Sequence, residues 1–112
     1  MVKVTLYRKN NRYCGYKSSG HADYADKGED IVCSAISILT YTIYRSAVVN
    51  LCLREEDYSL RTKDGFLEFR IKRQDDNTEL LFDTLKEGIL SLQENYGRYV
   101  QLEILEMEET ND

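Results

Sequence analysis

Proline and tryptophan are absent from the 112 residues, and there is a single histidine, His21. Without proline, no segment is interrupted by a fixed φ or a missing backbone donor. One histidine and three cysteines fall short of the usual zinc ligand sets. The cysteines show no Cys-x-x-Cys spacing, and their odd number does not complete a disulfide framework. Free thiols in a reducing cytoplasm are the simplest expectation, with no metal and no cofactor. Positive charge is also in deficit: 15 Lys and Arg against 20 Asp and Glu leave a net charge of −5. That argues against direct nucleic-acid binding and favours basic partners, proteins included.

No targeting segment is visible, since the alternating "MVKVTLYRKN" contains no signal-peptide apolar core. The most apolar run, "IVCSAISILTYTIYRSAVVNLCL", carries Arg45 and several hydroxyl residues. It reads as a buried or interface helix with no membrane span. The length suits one domain, expected over 1–107, with 108–112 as a frayed tail.

What is present divides into seven elements. "VKVTLYR" alternates Val2, Val4 and Leu6 against Lys3, Thr5 and Tyr7, the pattern of a half-buried strand. The pair Asn10-Asn11 predicts a turn, and "RYCGYKS" a second strand. A loop is expected from Ser18 to Glu29, mobile because it has little apolar surface to bury. A helix starts at the N-cap Asp30, with Val32, Ala35, Ile36, Leu39, Ile43 and Ala47 inward. "DYSLRTKDGFLEFRIK" is a hairpin turning at Asp64-Gly65, with Leu67, Phe69 and Ile71 on one face and Glu68, Arg70 and Lys72 on the other. "NTELLFDTLKEGILSLQENYG" is a second helix, capped by Asn77 or Thr78 and stopped by Gly97. Its stripe is Leu81, Leu85, Ile89, Leu92 and Tyr96. "YVQLEILEM" closes as a strand, with Val100, Leu102 and Ile104 inward. The order ββαββαβ predicts an α/β fold of two layers, a mixed sheet with both helices on one face.

The stretch "GHADYADKGEDIVCSAIS" places His21 in the loop and Cys33 in the first turn of the helix. Unpaired N–H groups and the helix dipole favour an anion there, and a thiolate is one. Ser37 lies one turn on, on the same face. Gly20 permits close backbone approach beside the imidazole. A histidine brought to such a cysteine is the arrangement of a thiol hydrolase. A helix cysteine beside Val32 and Ala35 is equally a packing residue, and a loop histidine equally a solvated one. Spacing alone leaves both open. Cys14, in a strand, and Cys52, between Leu51 and Leu53, read as structural.

The blocks "GHA" and "GEDIVCSAIS" resemble the ribosomal-processing cysteine protease family, Prp. The positions that carry the likeness are Gly20, His21, Ala22, Gly28, Asp30, Ile31, Val32, Cys33, Ser34, Ala35 and Ser37. The resemblance implies a small homodimeric α/β protease with Cys33 as nucleophile and His21 as base. Asp30 and Ser37 then support the site. It also implies removal of a short N-terminal extension from a basic large-subunit ribosomal protein, with cutting after an aromatic residue. Backbone N–H groups near Cys33 and Ser34 are the expected oxyanion donors. Two other classes stay open. One is a non-catalytic ribosome-associated binding module. The other is a dimerisation domain, suggested by a second apolar strip of Ile31, Ile38 and Val49 on the first helix.

Overall fold

A computed structural model describes residues 1–108. Of the expected tail, all but Glu108 lies outside the described residues. Strands β1 (Val2–Lys9) and β2 (Arg12–Ser19) are followed by helix α1 (Ile31–Asn50), strands β3 (Tyr58–Lys63) and β4 (Phe66–Ile71), helix α2 (Asp76–Tyr96) and strand β5 (Val100–Glu106). The ββαββαβ order stands. The sheet runs β3-β4-β2-β1-β5, with β5 parallel to β1 and every other neighbour antiparallel. It is therefore mixed, as the order predicts.

Local chemistry explains the turns. Lys9 pairs with Arg12, so Asn10 and Asn11 alone make the first turn, both at positive φ (55° and 69°). Asparagine tolerates that region better than other side chains, and two such residues give a turn whose twist matches a hairpin. Lys63 pairs with Phe66, leaving Asp64 and Gly65 as the second two-residue turn. Strand β2 continues through Ser19, so the loop begins at Gly20 and is shorter than the expected Ser18 start. The second helix is capped by Asp75, one turn ahead of Thr78 and not by Asn77 or Thr78 as its sequence suggests. The Asp75 side chain accepts from the Thr78 N–H at 2.9 Å, and the Thr78 hydroxyl accepts from the Asp75 N–H at 3.0 Å. This reciprocal pair satisfies two donors that a helix start leaves open.

The core lies between the sheet and both helices. Val2, Val4 and Leu6 of β1 meet Val32, Ile36, Ile43 and Ala47 of α1 and Phe82, Leu85 and Ile89 of α2. Phe82 and Thr40 are more deeply buried than Leu81, Ala35 and Leu39 of the expected stripes. An edge-on aromatic cluster fills the centre, with Tyr16 centred 5.7 Å from Phe69 and 5.6 Å from Phe82. Such pairs add roughly 0.5–1.5 kcal/mol each beyond area burial. The fully buried Tyr16 hydroxyl donates to the Thr40 carbonyl. Gly88 lets the helices close: a Cβ there would stand 2.9 Å from the Leu39 side chain. By length and composition α1 could cross a membrane, but its apolar stripe is spent on this sheet.

Two outward features depart from simple alternation. On the sheet's other face Glu68 is buried, because the Tyr7 hydroxyl donates to it at 2.8 Å and Arg61 pairs with it at 3.0 Å. Ile104, expected inward, is 46% exposed. It sits on an edge strand whose burial falls away toward its C-terminal end.

Candidate active site

A cavity of about 640 Å³ opens where α1 begins, between the loop after β2 and the β3–β4 turn. His21, Gly20, Asp30, Cys33, Ser34 and Ser37 all line it. The sequence therefore names residues that the fold collects in one place, although they belong to a loop and a helix.

Asp30 organises this corner. Its carboxylate accepts the Cys33 N–H at 2.9 Å, as an N-cap should, and also the N–H groups of Tyr24 and Ala25 at 2.9 and 3.3 Å. Burial by itself would raise the carboxyl. The three backbone donors and the Cys33 thiol outweigh it and hold Asp30 below the usual carboxylate range. One side chain thus starts the helix beneath Cys33 and folds the loop over it.

The loop is tied elsewhere too. Ala22 is buried, and its N–H donates to Cys33 Sγ at 3.2 Å. Tyr24 packs edge-on against Tyr96 and Tyr99, with ring centres 5.5 and 5.2 Å away. The Gly20 N–H donates to the Gly65 carbonyl at 2.9 Å. Gly20 sits at φ +106°, and a Cβ there would meet the Met1 carbonyl oxygen at 2.5 Å, so both conformation and space require glycine. Composition predicts a loop with little to hold it. The contacts that hold it join its backbone N–H groups to the Asp30 carboxylate, the Cys33 sulfur and the Gly65 carbonyl, and the Tyr24 ring to two tyrosines, none of which composition counts.

Cys33 is half-buried and His21 exposed. The imidazole lies over Gly65, with Nε2 3.9 Å from Asp64 Oδ2. The sequence marks Asp64 and Gly65 only as a hairpin turn, more than forty positions from His21, and nothing in it ties them to the site. The expected oxyanion donors are not free. The Cys33 N–H is held by the Asp30 carboxylate, and the Ser34 N–H by the Asp30 carbonyl at 3.1 Å. The N-cap that makes the helix start also consumes them. The donor that does point at the sulfur is Ala22 N–H. Ser34 and Ser37 are exposed, facing the cavity from successive turns of α1.

The other thiols are set apart. Cys14 is half-buried in β2 beside the irregularity at Tyr7/Arg8, and burial pushes its thiol up, which disfavours the nucleophilic form. Cys52, expected to be structural, is exposed: it follows the end of α1 at φ +55°, the left-handed residue that terminates the helix. Among the described residues no three His, Cys, Asp or Glu side chains are grouped to hold a metal.

The chain is similar to known proteins over most of its length. It is 25% identical over 84 residues to the ribosomal processing cysteine protease Prp of Staphylococcus aureus, covering 74% of this chain and 78% of that one. A crystal structure from Streptococcus mutans superposes with a TM-score of 0.78 at 26% identity, covering 96% of this chain and 99% of the other. A Staphylococcus aureus Prp structure with a covalently linked product peptide superposes at 0.80 with 21% identity, covering 94% of this chain and all of that one, a likeness of fold. The sequence model of the family cysteine protease Prp matches residues 1–101. With nine-tenths of the chain matched, this protein belongs to the cysteine protease Prp family.

Proposed function

We propose that the protein is a cysteine endopeptidase with a Cys33/His21 dyad, acting in the cytoplasm on the precursor of a basic large-subunit ribosomal protein and removing a short N-terminal extension. One observation carries the reading: the thiol in the first turn of α1 and the only imidazole in the chain line the same cavity. His21 takes the Cys33 proton and the thiolate attacks the scissile carbonyl. The Ala22 N–H, already directed at Sγ, supports negative charge on the sulfur. His21 then protonates the leaving amine, and water releases the acyl-enzyme. Asp30 holds helix and loop in register throughout.

The cavity suits an extended peptide with one large apolar side chain. Val2, Ile36 and Leu67 supply an apolar wall; the charged lining is mixed, Asp23, Asp30 and Asp64 with Lys27 and Lys63, and the chain as a whole carries a net charge of −5. The overall negative charge attracts a basic substrate, and added salt weakens the attraction. Structures of the Staphylococcus aureus relative that hold a substrate peptide and a linked product peptide support a peptide as the ligand class. The working assembly is a homodimer through the exposed strip Ile31, Ile38 and Val49.

The test is incubation with the organism's own basic ribosomal precursors and mass analysis of the products, with Cys33→Ala in parallel. A shortened N-terminus in the wild-type reaction alone is expected. Binding of the precursor without cleavage by either protein would favour a non-catalytic module.

A further inference from the structure

The His21 ring has a seat, and the seat belongs to a different part of the chain. A Cβ added to Gly65 would lie 2.7 Å from Nε2 and 2.9 Å from Cε1, so the imidazole rests directly on that backbone. Nε2 is 3.9 Å from Asp64 Oδ2. The same carboxylate reaches the other end of the loop, where Lys27 Nζ is 3.9 Å from Oδ1. The Gly20 N–H, one residue before the histidine, is bonded to the Gly65 carbonyl. Four separate contacts therefore run from the loop to two residues of the β3–β4 turn.

We propose that Asp64 is a positioning residue for His21, with Gly65 as the bare surface on which the ring sits. This rests on the Cys33/His21 reading above and goes beyond it by assigning the third member. A carboxylate beside one nitrogen sets the orientation of the ring and of the proton it carries. With Nε2 turned to Asp64, the nitrogen left to take the Cys33 proton in the proposed dyad is Nδ1. The Asp64 side chain is 74% exposed and that of His21 55%, so water screens the pair and its effect is that of a solvent-facing ion pair. A two-residue turn is a suitable carrier, because the paired strands on each side fix its place.

The experiment has two arms. With a single histidine in the chain, the imidazole protons give one set of resonances in NMR. Overhauser contacts from the ring to the Gly65 Hα protons are expected in the wild type and lost in Asp64→Ala. Their absence in the wild type, or their survival in Asp64→Ala, overturns the assignment whether or not the protein cleaves anything. The second arm is peptide cleavage. Asp64→Ala is expected to lower kcat about fivefold, the kinetic equivalent of an exposed ion pair, with KM nearly unchanged, and Asp64→Glu to recover most of the loss. In a His21→Ala background Asp64→Ala is expected to change nothing further, because it acts through the imidazole. An equal fall in both backgrounds overturns the proposal. A wild-type protein that cleaves no peptide refutes the protease reading instead and leaves the seat to be judged by the NMR contacts.

Discussion

The backbone N–H of Ala22 donates to the Cys33 thiol at 3.2 Å across eleven positions of sequence. The loop and the helix are therefore joined at the sulfur itself, and Asp30 joins them again one turn below. Whatever displaces the loop displaces the donor that faces the thiol.

That arrangement singles out one cysteine. Cys33→Ala is expected to abolish cleavage, and His21→Ala to slow it by at least about a hundredfold, the lower range for a positioned base. Cys14→Ala and Cys52→Ala are expected to retain activity, because Cys14 is held protonated by burial and Cys52 lies at the far end of α1. Mass analysis of a labelled peptide substrate with the four variants checks all of this. Full activity of Cys33→Ala would be fatal to the nucleophile assignment.

Asp30 carries two tasks, and they can be separated by substitution. Asp30→Ala removes the cap and the loop anchors together. It is expected to cost about 1 kcal/mol or more in stability and to expose the Tyr24 and Ala25 amides to exchange. Asp30→Asn keeps an acceptor and is expected to preserve most of the helix while losing the charge. Because the folded carboxyl titrates below its ordinary value, its stabilising effect is present above about pH 4 and is lost as pH falls through the folded value. Hydrogen exchange and acid unfolding of the two variants measure these effects. Unchanged protection of Tyr24 and Ala25 in Asp30→Ala would show that the loop is held by its other contacts alone.

The open face of the sheet predicts an alkaline limb. Burial, then the bond to Glu68, push the Tyr7 phenol up to about 12. Burial alone would raise Glu68, but Tyr7, Arg70 and Arg61 outweigh it and hold its carboxyl low. A raised phenol means that the folded state keeps its proton longer than the unfolded chain does. Its contribution is therefore whole below about pH 10 and declines between about 10 and 12. Tyr7→Phe removes that part of the decline and costs about 1 kcal/mol at neutral pH, with Glu68 still paired to its arginines. Thermal midpoints of both proteins across this range give the difference. Parallel curves would contradict it.

The proposed homodimer rests on α1. Ile31, Ile38 and Val49 are 53%, 64% and 62% exposed, and their spacings of seven and eleven residues return to one side of the helix. A symmetric pairing of two such strips would bury them. Sedimentation is expected to report about 26 kDa, twice the 13.1 kDa chain, and Ile38→Asp to report a monomer. A strict monomer at micromolar concentration for the wild type would leave the strip without that role.

Features decided by neighbouring residues were legible from the chain alone. Asn10-Asn11 makes a tight turn, Asp30 starts a helix, and the alternations around Leu6 and Phe69 make strands, because each depends on backbone preferences a few positions wide. The blocks around His21 and Cys33 were legible for the same reason, since their identities and spacing stand in the sequence itself. What depends on distant partners was not. Burial of Glu68 required Tyr7 from another strand, and exposure of Ile104 required knowing where burial falls away along the edge strand. Sequence pattern placed free N–H groups at Cys33 and Ser34, whereas the cap consumes them. Nothing near His21 in the chain points to Asp64 or Gly65. Only the pairing of β4 with β2 brings that turn beneath the imidazole, because a sheet's hydrogen bonds set the register of strands far apart in sequence.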